Sequence, residues 1–430
     1  MTISNRAGSA SQVPHQRRGW LDVEGSGGTG TSMPVPFADC FISPAARDAA
    51  SRVLASGWVT TGAEVEAFER EFADHVGARH AVAVTSCTVG IELALRALRL
   101  PDHAPVLTST NTFCGAVHAI LHAGLQPVLV DVDPVTGMPT PQTTAEANSM
   151  LQRRGQPAAA AMVVVHWAGD PADVPLLAQA AGLPLERVVE DAAHAVGTFT
   201  PEGPVGGGAA AACFSFYATK NLPIGEGGMI TTNDAELARH CHQSRLHGMS
   251  KDAWRRYQPG GSWRYDVVEP GLKANMSDVQ AAIGRGQLAN IRPWQRRRAE
   301  IADLYDRGLA GLPGIALPHR PPRGLGVHAW HLYAIRVQED SGTDRDSLAA
   351  ALAARSIGTS VHFIPLHHFT AGRSGAYGEP RPLPGADRFA DEVLSLPLHA
   401  QLSDVHVATV IEAVHAATSA ADPATAGRNI

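Results

Sequence analysis

Between residues 44 and 245, short apolar runs alternate with stretches of helical periodicity, and this alternation restricts the fold more than any other feature. The runs lie at 81–84, 106–108, 127–130, 161–165 and 187–189, and helices are expected at 64–76 and 88–100. A run too short for a helix, and without the in–out alternation of a half-exposed strand, reads as a strand buried on both faces. Several such strands linked by helices predict an open, mainly parallel α/β sheet with helices on both sides. Beyond it, 276–307 reads as one long helix with a boundary near Pro293. After Gly314 a smaller α+β unit is expected, with strands at 331–337 and 359–362 and helices at 346–354 and 404–416. The chain therefore divides into a flexible tail (1–34), a large α/β domain (35–290), a small C-terminal α+β domain (291–419) and a frayed tail (420–430). The first tail carries Gly25-Ser26-Gly27-Gly28-Thr29-Gly30, the composition of a flexible segment.

Composition narrows the class. A net charge of −6 over 430 residues argues against general nucleic-acid binding, which needs a basic face. No apolar run approaches the roughly 20 residues of a membrane helix, and 1–32 lacks a secretory apolar core. The five cysteines, Cys40, Cys87, Cys114, Cys213 and Cys241, are odd in number and scattered, without a CxxC pair. They read as reduced thiols of a cytoplasmic protein, with neither a disulfide framework nor a metal site.

Four segments carry candidate chemistry. Phe214-Ser215-Phe216-Tyr217-Ala218-Thr219-Lys220-Asn221 precedes Gly225-Glu226-Gly227-Gly228. A nucleophilic lysine needs a partly desolvated turn, and glycines let backbone approach a ligand. A lysine beside glycines is nonetheless ordinarily a solvated surface residue. Upstream, Val188-Val189-Glu190-Asp191 ends a buried run in an acid, at the strand end where open α/β sheets place ligands. Such an acid could hold a protonated ring nitrogen, or equally cap the next helix. Val84-Thr85-Ser86-Cys87-Thr88 is a strand followed by a polar turn opening a helix, which suits phosphate and also suits plain capping by Ser86 or Thr88. Finally, Asn111-Thr112-Phe113-Cys114 sets an aromatic beyond another strand end, where it could stack on a flat ring or belong to the core.

The order of phosphate turn, aromatic, acid and lysine resembles that of the DegT-type sugar aminotransferases, pyridoxal-phosphate (PLP) enzymes of the type I, aspartate-aminotransferase fold. The resemblance runs from about Val35 to Val414. It includes Gly57-Trp58-Val59-Thr60-Thr61-Gly62, Val165-His166-Trp167-Ala168-Gly169, Gln280-Ala281-Ala282-Ile283-Gly284, Trp330-His331-Leu332-Tyr333, His362-Phe363-Ile364-Pro365-Leu366-His367 and Leu394-Ser395-Leu396-Pro397-Leu398. It implies that Lys220 binds PLP covalently and shuttles the proton, and that Asp191 holds the pyridine nitrogen. His194 would face the ring hydroxyl and Phe113 would stack on the ring. Ser86, Cys87, Thr88 and Ser215 would bind the phosphate. Trp58, Thr60, His166 and His362 are the implied substrate contacts, although His166, His331, His362 and His367 are as readily structural.

Two positions depart from the family pattern. Ser86-Cys87-Thr88 stands where Ser-Gly-Thr is usual, and the β-carbon of Cys87 disfavours a positive φ there. Lys273 takes the register of an asparagine that reaches the neighbouring subunit's phosphate in a homodimer, with Asn275 as a rival and a solvated lysine as the plain alternative. Retention of Lys220, where dehydrating relatives carry histidine, implies transamination. The implied reaction moves an amino group from a donor such as glutamate to a keto-sugar. Lys273-Ala274-Asn275-Met276 together with 360–367 resembles members that act at C4 of a nucleotide-linked keto-hexose. A keto-cyclitol acceptor, another PLP reaction on the same fold and a PLP-binding regulator without turnover are the alternatives. The basic run Arg296-Arg297-Arg298 is expected on a solvated helix face.

Overall fold

The apolar runs become strands because consecutive side chains in them reach two different cores. In Ala161–Val165, Ala161 and Val163 pack into one layer while Met162 and Val164 pack into the other. Both faces are covered, so alternation is absent from the sequence. The protein, seen in a computed structural model, is described at residues 34–250, 263–321 and 326–419. The tails expected before residue 34 and from 420 onward lie outside the described residues.

The main sheet has seven strands: β1 His80–Val84, β2 Pro105–Ser109, β3 Gln126–Val130, β4 Ala161–Val165, β5 Val188–Asp191, β6 Ala211–Ser215 and β7 Gly228–Thr232. Their spatial order is β1-β7-β6-β5-β4-β2-β3. Only β7 runs against the others, pairing antiparallel with β1 and β6. Helices Cys87–Ala97, Gly115–His122 and Ala235–Ser244 cover one face. Helices Pro141–Arg153 and Val174–Ala181 cover part of the other, and Ala63–Val76 with Asp278–Leu288 covers the rest. Helix Asp278–Leu288 also packs on Pro44–Ser56, where the backbone approach is so close that a β-carbon on Gly286 would lie 2.6 Å from Ala46 Cα.

A second, antiparallel sheet contains β8 Ile315–Ala316, β9 Tyr333–Val337 and β10 Val393–Leu396. It shares a core with helices Ile291–Leu309, Arg345–Ala353 and Asp404–Ser419.

Three expectations are corrected. The long helix breaks at Ala289–Asn290, four residues before the expected point. Pro293 falls in the first turn of the next helix, where a missing N–H costs no hydrogen bond. No strand forms at 359–362; Ser360 makes a single bridge to Ser395, and the chain then leaves the sheet. There the His362 carbonyl accepts from the Trp167 indole at 3.1 Å, and Phe363 N–H donates to Asn111 Oδ1 at 3.1 Å. Side chains thus satisfy backbone groups that a neighbouring strand would otherwise pair. The basic run is also not one solvated face: Arg298 is buried and donates to the carbonyls of Trp330 and Leu398 at 3.1 and 3.0 Å. Arg297 pairs with Asp404.

Helix Ala63–Val76 begins at Gly62, which has no capping side chain. Asp278, 216 residues away, takes over: its Oδ1 accepts from Gly62 N–H at 2.7 Å and Val65 N–H at 3.1 Å. Asp278→Ala should lower stability by about 1–2 kcal/mol, the usual worth of an N-cap. Urea unfolding gives the readout, and an unchanged midpoint would show that the cap carries no stability.

Candidate functional site

Because six strands of the main sheet are parallel, their carboxyl ends converge on one edge, and this edge carries the candidate residues. β1 leads into Ser86–Thr88, β2 into Thr112 and Phe113, β5 ends at Asp191 and β6 at Ser215. A cavity of about 550 Å³ opens there, lined by Ser86, Cys87, Thr88, Phe113, Asp191, His194, Ser215, Lys220 and His362 among others. Nine of the fourteen expected site residues therefore meet on one surface.

Ser86 caps helix Cys87–Ala97, accepting from Val89 N–H at 3.3 Å. The amides of Cys87 and Thr88 lie ahead of any helical acceptor, and the first turn contains no acid to compete for an anion. Cys87 starts a right-handed helix, as its β-carbon requires. β7 passes directly under this turn, so a β-carbon on Gly228 would come within 2.5 Å of the Ser86 carbonyl carbon. The Ser215 hydroxyl accepts from Tyr217 N–H at 3.3 Å and keeps its own hydrogen to donate.

Asp191 is buried. Its Oδ1 accepts from Ala193 N–H at 3.1 Å and lies 3.6 Å from the Cys87 sulfur, whose nearer neighbour is the Cys213 carbonyl at 3.1 Å. Oδ2 has no protein partner among the described residues. Burial raises the carboxyl pKa; Ala193 N–H and the Lys220 cation oppose the rise. Lys220 sits on a turn closed by its own N–H to Tyr217 O (2.9 Å) and by Phe216 N–H to Gly227 O (2.9 Å). Burial lowers its ammonium to about 8, against the raising effects of Asp191 and Cys87. The amine is therefore neutral far more often near pH 7 than an ordinary lysine.

His194 Nδ1 accepts from Ala168 N–H at 3.2 Å, which leaves hydrogen on Nε2. Burial first, then Lys220 and His362, hold this imidazole well below its usual pKa, so it is a neutral donor. His362 is likewise pushed down to about 4, by burial and Lys220, and its Nδ1 lies 2.9 Å from Ser395 Oγ. Phe113 is 61% exposed, a large ring left uncovered at the cavity.

Five expected residues lie elsewhere. His166 is fully buried: Nδ1 accepts from Ala172 N–H at 3.1 Å and Nε2 lies 2.8 Å from Glu190 Oε2. Both nitrogens are occupied by protein, so the expected substrate contact is replaced by a structural role. Trp58 donates its indole N–H to Thr61 O at 3.2 Å, and the Thr60 carbonyl accepts from Asp278 N–H at 3.2 Å; neither lines the cavity. Lys273 bonds Asn275 Oδ1, and Asn275 donates to Thr61 Oγ1 at 2.6 Å. Their segment runs beside Val84, just before the phosphate turn of the same chain.

Sequence reasoning also left His331 at a structural default and passed over Phe363 as a single residue, yet both line the cavity. Each sits in a landmark motif, one just before β9 and one just after the Ser360 bridge, and neither motif shows which way its side chains point. Outside the cavity, the metal-type cluster found among the described residues is His367, His368 and Asp387. Each imidazole Nε2 there lies 2.8 Å from Asp387 Oδ1.

The residues fit PLP. Helix amides and Ser215 offer phosphate donors, Asp191 Oδ2 is open to a protonated ring nitrogen, His194 Nε2–H to a ring oxygen and Lys220 to the aldehyde carbon. Comparison with known proteins agrees. The profile of the DegT/DnrJ/EryC1/StrS aminotransferase family matches residues 42–415. The spore coat polysaccharide biosynthesis protein SpsC of Bacillus subtilis is 43% identical over 379 residues, covering 86% of this chain and 94% of SpsC. Among solved structures, the aminotransferase TlmJ of Streptoalloteichus hindustanus superposes with a TM-score of 0.79 at 33% identity, over 90% of this chain and all of TlmJ. The PLP form of Spr1654 of Streptococcus pneumoniae gives 0.80 at 27% identity, over 90% of this chain and all of the other. The chain belongs to the DegT/DnrJ/EryC1/StrS aminotransferase family, and it is a PLP-dependent enzyme with the type I fold.

Proposed function

We propose that this enzyme transfers an amino group from glutamate to the keto carbon of a nucleotide-linked 4-keto-hexose, as a cytoplasmic homodimer. The observation that carries the reading is the pairing of a desolvated Lys220 with a buried Asp191 in a cavity that also presents phosphate donors. The sugar class draws support from the resemblance of 273–276 and 360–367 to members acting at C4. SpsC, whose name places it in polysaccharide biosynthesis, points the same way.

Bound PLP supplies a sink for electrons released at the substrate carbon. The chain's residues do the remainder. Asp191 holds the ring nitrogen protonated through Oδ2. His194 would donate Nε2–H to the ring oxygen, and Phe113 would flank the ring. The Cys87 and Thr88 amides with Ser215 fix the phosphate. Lys220 would hold the cofactor's aldehyde end and, with its amine free, would serve as the base that moves the proton at the substrate carbon. Its amine, lowered to about 8, is neutral far more often near pH 7 than that of an ordinary lysine.

An acceptor screen tests this. PLP-loaded protein should lose its visible band with L-glutamate and regain it with a keto-sugar, and Lys220→Ala should bind PLP yet show neither change. Return of the band only with keto-cyclitols would redirect the acceptor, and no loss with any amino acid would refute transamination.

The shared-site proposal has its own test. In a two-fold dimer each site would take Lys273 or Asn275 from the partner. Mixing inactive Lys220→Ala chains with inactive Lys273→Ala/Asn275→Ala chains should then restore activity, because one site of the mixed dimer carries neither lesion. No recovery after verified subunit exchange would refute sharing, and a fully active monomer would refute the dimer.

A further inference from the structure

The side chain following the lysine is more constrained than its neighbours. Asn221 is buried, and its Nδ2 donates to Ala329 O at 2.9 Å. That bond fixes which end of the amide is nitrogen, so the atom 3.1 Å from His331 Nδ1 is Oδ1, an acceptor. His331 Nδ1 must therefore carry hydrogen, and its Nε2 is a bare lone pair. No protein group bonds that Nε2 among the described residues, and the ring lines the cavity. Beside it, at 4.2 Å between centroids, stands His194, whose tautomer is the opposite: Nδ1 accepts and Nε2 donates. One wall of the cavity thus carries a fixed donor next to a fixed acceptor.

The charged and titratable groups acting most strongly on His331 are His194, Lys220, Arg298 and His362. Each of these is a cation or becomes one on protonation; the carboxylate in the same cavity is Asp191. Burial and these neighbours hold the imidazole neutral, well below its ordinary pKa.

We propose that His331 is a further substrate-binding residue, an acceptor-only imidazole that takes a hydrogen of the amine entering the cavity, and that Asn221 is its positioning residue. The inference rests on the aminotransferase reading above. An entering amine must approach the place of the Lys220 amine, and it brings N–H groups that need acceptors. His194 and the phosphate turn present donors. His331 Nε2 answers the opposite need.

Two readouts test this on PLP-loaded protein. In [15N]histidine-labelled wild type, His331, assigned by its loss in His331→Phe, should show hydrogen on Nδ1 and none on Nε2. The second is the rate of visible-band loss with L-glutamate as a function of pH. Asn221→Asp keeps an acceptor for Nδ1–H but adds a carboxylate, which raises the His331 pKa. Below that raised value Nε2 is protonated and can no longer accept. The acid limb of the profile should accordingly move to higher pH. His331→Phe should keep the band, slow its loss about tenfold and abolish the shift when combined with Asn221→Asp. Hydrogen on Nε2 in the wild type, band loss in His331→Phe as fast as in the wild type, or an Asn221→Asp shift that survives in the double variant, would overturn the proposal. A wild type inert to L-glutamate would count against the aminotransferase reading, and the tautomer readout would still judge His331.

Discussion

Desolvating a lysine amine and an aspartate carboxylate in one cavity constrains everything around them, because burial alone would neutralise both. An isolated buried charge is costly, and burial pulls Lys220 down while pushing Asp191 up. Each charge opposes the other's shift, and Ala193 N–H adds a donor to the carboxylate. What remains is an amine poised near 8 and an acid with one oxygen open, a combination neither residue would reach alone. The surrounding histidines respect this balance. His194, His331 and His362 are all held neutral, so none adds a cation that would drive the Lys220 amine lower still.

The scaffold keeps these groups in register from two directions. The parallel strands deliver Ser86, Phe113, Asp191 and Ser215 to one edge. Beneath that edge, the buried His166–Glu190 contact ties β4 to β5, and His166 N–H also donates to Asp191 O at 3.2 Å. From the other direction, the segment around β9 brings His331, and the chain leaving Ser360 brings His362 and Phe363. Asn221 joins the two directions, since it follows Lys220 directly and bonds both Ala329 and His331.

How much of this was legible in the sequence depended on how local the cause was. β4 was readable to the residue because burial on both faces leaves an unbroken apolar run. Asp191 and Ser86 were readable because each comes two residues after the end of such a run. Lys220 became readable only through its order after them. The 359–362 segment was misread because its extended, partly apolar run resembles a strand; its backbone partners are side chains of Asn111 and Trp167, far away in sequence. The roles of Asp278 and Asn221 were invisible for the same reason, since their partners lie 216 and 110 residues away. His166 shows the converse: its motif was recognised, but only packing reveals that both nitrogens are already used.

The central claim, that burial and Asp191 together set the reactivity of the Lys220 amine, can be measured on cofactor-free protein. The rate of covalent PLP uptake requires the neutral amine, so it should rise with pH through about 8 and level off above. In Asp191→Asn the carboxylate that stabilises the ammonium is gone, and the midpoint should move to lower pH. Uptake that keeps climbing toward the ordinary lysine range near pH 10.4, or a midpoint indifferent to Asp191→Asn, would contradict the account.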